Sequence, residues 1–144
     1  SDADHCEGLP VGLVHPDPAP VNLIEDADKQ IHLIDWGGAG IGTRVVSLGQ
    51  YLWEAAGSKG FDTKKLKMIA DAYQEHVTLT DEELLRLPDA MKIRIFWLAG
   101  WNYFTRTLAG NPPTGDEWWI RRALHTDQSL PDALQEAFRP SLAV

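Results

Sequence analysis

A chain of 144 residues with 44% apolar composition is long enough for one domain with one core. Its formal net charge of −8 argues against nucleic acid as a partner, since such binders need a basic face. The same charge is compatible with a cationic small substrate drawn to an acidic cleft, although solubility alone is the simpler explanation.

The single cysteine, Cys6, rules out an internal disulfide and fits a reducing, cytoplasmic setting. His5 and Cys6 have no second ligand pair at metal-site spacing, so they read as tail residues. The longest strongly apolar run, Ile95 to Trp101, has seven residues, too few for a membrane span, and no secretory signal is present.

Residues 1–10 are polar and turn-rich and read as a flexible leader to one unit, 11–144. Val11 to His15 reads as a short strand. The loop from 15 to 21 carries three prolines, which makes it stiff and non-helical. Asn22 to Glu25 and Gln30 to Asp35 read as two strands of a hairpin joined by Asp26-Ala27-Asp28. Gly37 to Gly42 reads as a glycine-rich loop.

Helices follow. Val45, Leu48, Leu52 and Ala56 form one stripe, with Thr43 as N-cap and Gly57 as stop. Asp62 opens a second helix with Leu66, Ile69, Ala70, Tyr73 and Val77 on its apolar face. Thr80-Asp81-Glu82-Glu83 is a capping box. Pro88 suits the first turn of a longer helix reaching about Ala109, and this helix is apolar nearly all round from Ile93 to Phe104. It therefore reads as central and buried. Thr114 with Glu117 caps a helix bearing Trp118 and Trp119, and Ser129 starts a last helix ending before Pro140. Trp53, Trp97 and Trp101 read as core. The fold class is α+β, mostly helical, with a small β-hairpin ahead of five or six helices.

One constellation carries chemistry. Asp17 lies on the stiff loop, Asn22 follows five residues later, and Asp35 ends the second hairpin strand. Phosphoryl transfer needs a carboxylate to take a hydroxyl proton, and hard oxygen ligands for magnesium. Asp17 fits the base, while Asn22 and Asp35 fit the metal ligands. Taken singly, Asp17 and Asn22 also fit turn or cap residues, and Asp35 a buried hairpin acid satisfied by backbone amides. His15 stands beside Asp17 in the catalytic set, in a loop-holding role rather than a proton-transfer role.

His15-x-Asp17-x-x-x-x-Asn22, a hairpin, and Leu33-Ile34-Asp35-Trp36-Gly37 together resemble the catalytic half of the aminoglycoside phosphotransferase and choline kinase group. That group is similar to protein kinases in fold. The resemblance rests on residues 11–50 and implies a protein-kinase-like C-terminal lobe. It implies Asp17 as catalytic base and magnesium and nucleotide roles for Asn22 and Asp35. It also implies ATP and Mg2+ as cofactors and a small hydroxyl-bearing acceptor: an aminoglycoside, choline, a sugar or an amino alcohol. Pro16 replaces the common glycine, Pro18 follows the base, Gly38 stands where an acid is common, and Thr43 and Ser47 stand where aspartate is frequent.

The family's N-terminal nucleotide lobe has no counterpart in the ten residues before Val11. The chain thus reads as a fragment, a truncated product or a subunit with a partner, binding ATP weakly and transferring phosphate negligibly alone. Apolar surface near 11–14 and 31–36 should then be exposed and drive association, including homodimerisation. Two rivals stand beside this reading. A dinucleotide-binding enzyme is suggested by Gly37, Gly38, Gly40 and Gly42, but their spacing is not Gly-x-Gly-x-x-Gly. A kinase-like lobe kept as a binding or regulatory module is the other.

Overall fold

The computed structural model describes residues 7–57, 62–113 and 129–139. The class is α+β, and among the described residues helices predominate over two small antiparallel sheets. The strands are β1 (Val11–Val14), β2 (Leu23–Glu25), β3 (Ile31–Leu33) and β4 (Gly40–Thr43). The helices are α1 (Arg44–Leu52), α2 (Thr63–Gln74), α3 (Asp81–Leu108) and α4 (Leu130–Ala137).

β2 and β3 form the expected hairpin, in register Leu23↔Leu33 and Glu25↔Ile31. Its turn is closed by Asp26, whose Oδ1 accepts from the amides of Asp28 and Gln30 at 2.9 Å each. The strands are shorter than the sequence suggests. Asn22 belongs instead to a single 3₁₀ turn, Pro20–Asn22, because the fixed φ of Pro20 suits a helical start and the Asn22 amide reaches Ala19 O at 2.9 Å. The end of the loop is thus helical, where its prolines had argued for none.

The glycine-rich stretch also differs from expectation. Its second half is β4, paired antiparallel with β1 from Val11↔Thr43 to Val14↔Gly40. A Cβ at Gly42 would stand 2.9 Å from Val14 Cγ2, so glycine is what permits this close pairing.

Val45, Leu48 and Leu52 bury the expected stripe of α1, and Trp53 and Ala56 continue it through one π turn, Trp53–Gly57. Gly49 lies directly against the α3 backbone, where a Cβ would fall 2.7 Å from Ala90 C. Asp62 caps α2 by accepting from the amides of Lys64 and Lys65. Leu66 and Ala70 of α2, Leu130 and Leu134 of α4, and Phe138 complete the core with Leu87 and Met91 of α3.

α3 departs from expectation twice. Pro88 does not open it: the helix starts at the Thr80–Glu83 capping box and runs 28 residues with a buried Pro88 inside. An internal proline costs about 3 kcal/mol. Burial of Leu87, Ala90, Met91 and Ile95 around it offsets that cost. Second, the stretch from Ile93 to Phe104 is not buried throughout. Phe96, Trp97, Trp101, Tyr103 and Phe104 are each more than half exposed, and the α3 core ends at Ile95. The reason is length. α3 spans about 42 Å and its main partner α1 about 14 Å, so α1 can cover only the first part of it. Trp53 is core; Trp97 and Trp101 are not, and they stack on each other with centroids 6.2 Å apart. Trp118, Trp119 and the Thr114–Glu117 cap lie outside the described residues.

A buried ion pair joins the starts of α1 and α3. Glu83, fully buried, accepts from Arg44 Nε at 2.6 Å and Nη2 at 2.7 Å, and from the Thr80 amide at 2.9 Å. Burial pushes the Glu83 carboxyl upward, but the Arg44 guanidinium and the Thr80 donors outweigh it and hold the group below its usual range. The carboxylate in turn raises Arg44. Among the described residues no helix is long and apolar enough to cross a membrane.

Candidate functional site

β1 delivers His15 into the interior, where it is 5% exposed. Its Nδ1 accepts from the Asp17 amide at 3.0 Å, so its Nε2 carries the proton and donates to Ile34 O at 2.8 Å. Its own carbonyl accepts from Ser47 Oγ of α1 at 2.8 Å, and Trp36 meets the ring edge-on at 4.8 Å. His15 thereby ties the Asp17 loop to the end of β3 and to α1. Both ring nitrogens are engaged with backbone, which is a loop-holding arrangement.

Asn22 completes the tie. Its Nδ2 donates to Asp17 O at 2.8 Å, and its carbonyl accepts from the Ile34 amide at 2.9 Å. The amide nitrogen is committed to a carbonyl, so Oδ1 is the end left to act as an acceptor or ligand. Trp36 Nε1 donates to Leu33 O at 2.7 Å, and Gly38 packs against the Pro16 ring. Asp35 sits between these anchors in the left-handed region, with φ at 63°. A non-glycine residue held there costs of order 1 kcal/mol. Its side chain is exposed and lies over Gly37.

The geometry therefore brings Asp17 and Asn22 into direct contact and sets the Asp35 backbone one residue from Ile34, the shared partner of His15 and Asn22. No hydrogen bond or ion pair among the described residues joins the Asp35 carboxylate to Asp17 or Asn22. Nor do three His, Cys, Asp or Glu side chains cluster as a metal site among those residues. The available oxygens are Asn22 Oδ1 and the Asp35 carboxylate, a hard donor set that suits magnesium and leaves room in its shell for water and phosphate.

Asp17 has a partner that sequence reasoning missed. Arg94 of α3 places Nη2 2.9 Å from Asp17 Oδ1. That oxygen is buried and accepts no aligned hydrogen bond, so the contact is one of charge rather than of direction. Arg94 Nε also faces Glu54 Oε1 at 3.4 Å, and its guanidinium carbon stands 5.2 Å from the Trp97 ring centroid. The signal was available: Arg94 is the single charge in the apolar run Ile93 to Trp101. A cation there needs a buried partner.

No protein-family model matches this chain, and no solved structure matches it significantly. It is similar to an uncharacterized protein of Deinococcus radiodurans, with 30% identity over 97 residues. The match covers 65% of this chain and 28% of that protein, so the chain spans under a third of its relative's length.

Proposed function

We propose that this chain is the C-terminal, phosphoryl-transferring lobe of an ATP-dependent small-molecule O-phosphotransferase with a protein-kinase-like fold. The observation that supports the reading best is the locked loop. The Asp17 main chain is held by His15 and Asn22, and both of these are bonded to Ile34, beside Asp35. A rigid acid and two hard oxygen donors are thus presented from one end of the hairpin.

In this reading Asp17 orients the acceptor hydroxyl and takes its proton as the phosphoryl group transfers in line. Asn22 and Asp35 would hold Mg2+, which supplies charge neutralisation for the phosphates of ATP. Asn22 has a second task, because its amide also fixes the Asp17 backbone. Nucleotide contacts would come from a lobe outside this chain, and the setting is cytoplasmic. Val11, Leu13 and Ile41 on the β1–β4 sheet and Ile31 on the β2–β3 hairpin are exposed apolar residues that such a lobe would cover; without it, self-association through them is expected.

The test is calorimetric titration with Mg2+ and nucleotide, together with phosphoryl transfer to a panel of amino alcohols and sugars. It uses this chain and a version extended by the residues its gene encodes upstream. The extended protein should bind Mg-nucleotide and transfer phosphate, and Asp17→Asn should lower kcat by about 10³ or more. Absence of Mg-nucleotide binding in both proteins would refute the reading.

One observation favours a second reading, a binding or regulatory module without catalysis. The Asp17 carboxylate is already paired with a cation, since Arg94 Nη2 stands 2.9 Å from Oδ1. That module would give no response to Mg2+ and nucleotide in either protein.

A further inference from the structure

Asp17 is held at two levels. His15 and Asn22 fix its backbone, but neither touches its carboxylate. The side chain is 33% exposed although Oδ1 is buried, so its exposure lies with Oδ2 and Cβ. One carboxylate oxygen therefore faces inward and the other outward. Among the described residues the inward oxygen has Arg94 as its ion-pair partner, whose side chain is 12% exposed and lies between Asp17 and Glu54. Glu54 stands in the π turn that ends α1, a local widening of the kind often found at functional sites. Two carboxylates share one guanidinium, which leaves the cluster with a net charge of −1. The Trp97 ring limits the remaining freedom of Arg94.

We propose that Arg94, braced by Glu54, is a positioning residue that sets the rotamer of the Asp17 carboxylate so that Oδ2 faces the acceptor. This rests on the phosphotransferase reading for its purpose, but not for its geometry. Arg94 is too enclosed to serve as a phosphate contact. Its Nε and Nη2 edges are each turned to a different acid, an arrangement that a lysine ammonium cannot reproduce in full.

The experiment is NMR on the isotopically labelled 144-residue chain. Three-bond couplings to Asp17 Cγ report its χ1 populations in wild type, Arg94→Gln, Arg94→Lys and Glu54→Gln. Mn2+ is added to the same samples to report broadening at Asn22 and Asp35. Wild type should hold one dominant rotamer. Arg94→Gln should raise the minor populations at least about threefold, Arg94→Lys should restore part of the wild-type value, and Glu54→Gln should fall between. A purely structural Arg94 would change the melting temperature without moving these couplings, and unchanged couplings in Arg94→Gln overturn the proposal. Should Arg94→Gln not fold, Glu54→Gln decides, because Glu54 is 27% exposed and its loss is tolerable; unchanged couplings there overturn the brace. Mn2+ broadening with unchanged couplings sinks the Arg94 role and leaves the phosphotransferase reading standing. Shifted couplings without broadening support the Arg94 role and count against metal binding by Asn22 and Asp35 in this chain.

Discussion

Replacing Glu83 by glutamine tests the energetics of this fold most cleanly. The variant keeps the shape and can still close the capping box on Thr80, so what is lost is the charge opposite Arg44. Breaking one side of a buried ion pair costs roughly 3–5 kcal/mol, because the remaining charge is left without compensation. Arg44 is 32% exposed and can turn partly to water, so the low end applies, about 3 kcal/mol. For a domain of this size that corresponds to a fall in melting temperature of roughly 6–12 °C. Urea unfolding and calorimetry would measure both. The pH dependence gives a second check. The folded carboxyl lies below its ordinary value of 4.5, so its stabilisation is present above pH 4.5 and is lost as pH falls through the folded value. The gap between wild type and Glu83→Gln should therefore be constant above pH 5 or so and close below it. Pairing Glu83→Gln with Arg44→Met should cost clearly less than the sum of the two singles. A loss under about 1 kcal/mol, or a gap that persists in acid, would refute this reasoning.

Gly49→Ala should destabilise by about 1–3 kcal/mol in urea unfolding, because the new methyl would meet α3 backbone atoms at 2.7–2.8 Å. Trp53→Ala should cost about 3–5 kcal/mol, as a buried aromatic, whereas Trp97→Ala and Trp101→Ala should each cost under about 1 kcal/mol by thermal unfolding. His15→Ala removes both ring hydrogen bonds and leaves the Asp17 amide and the Ile34 carbonyl unpaired; about 2 kcal/mol should be lost, with faster amide exchange from residue 16 to 22.

The hairpin was legible because its strands are bounded by turn residues, and the α3 start because a capping box is a local signal with one partner arrangement. What escaped were features decided by partners far along the chain. β4 forms because β1 lies beside it, and glycine permits the approach; the residues alone read as a loop. Pro88 is carried inside α3 because burial on both sides outweighs its local cost. The aromatic half of α3 reads as buried only if something long enough covers it, and α1 does not. At the site, Asp17, Asn22 and Asp35 were legible as a spacing, and His15 as a loop holder. Arg94 stands out as the lone charge in an apolar run, but its pairing with Asp17, 77 residues away, and with Glu54 was not legible, since packing alone brings them together.

The central claim is that Asn22 and Asp35 offer their oxygens to one divalent cation beside Asp17. Titration of the labelled chain with Mn2+ tests it most directly. The account predicts selective broadening of the Asn22 side-chain amide and of residues 34–36, reversed by excess Mg2+ and abolished in Asp35→Asn. Broadening centred on the acidic start of α3, or unaltered by Asp35→Asn, would contradict it.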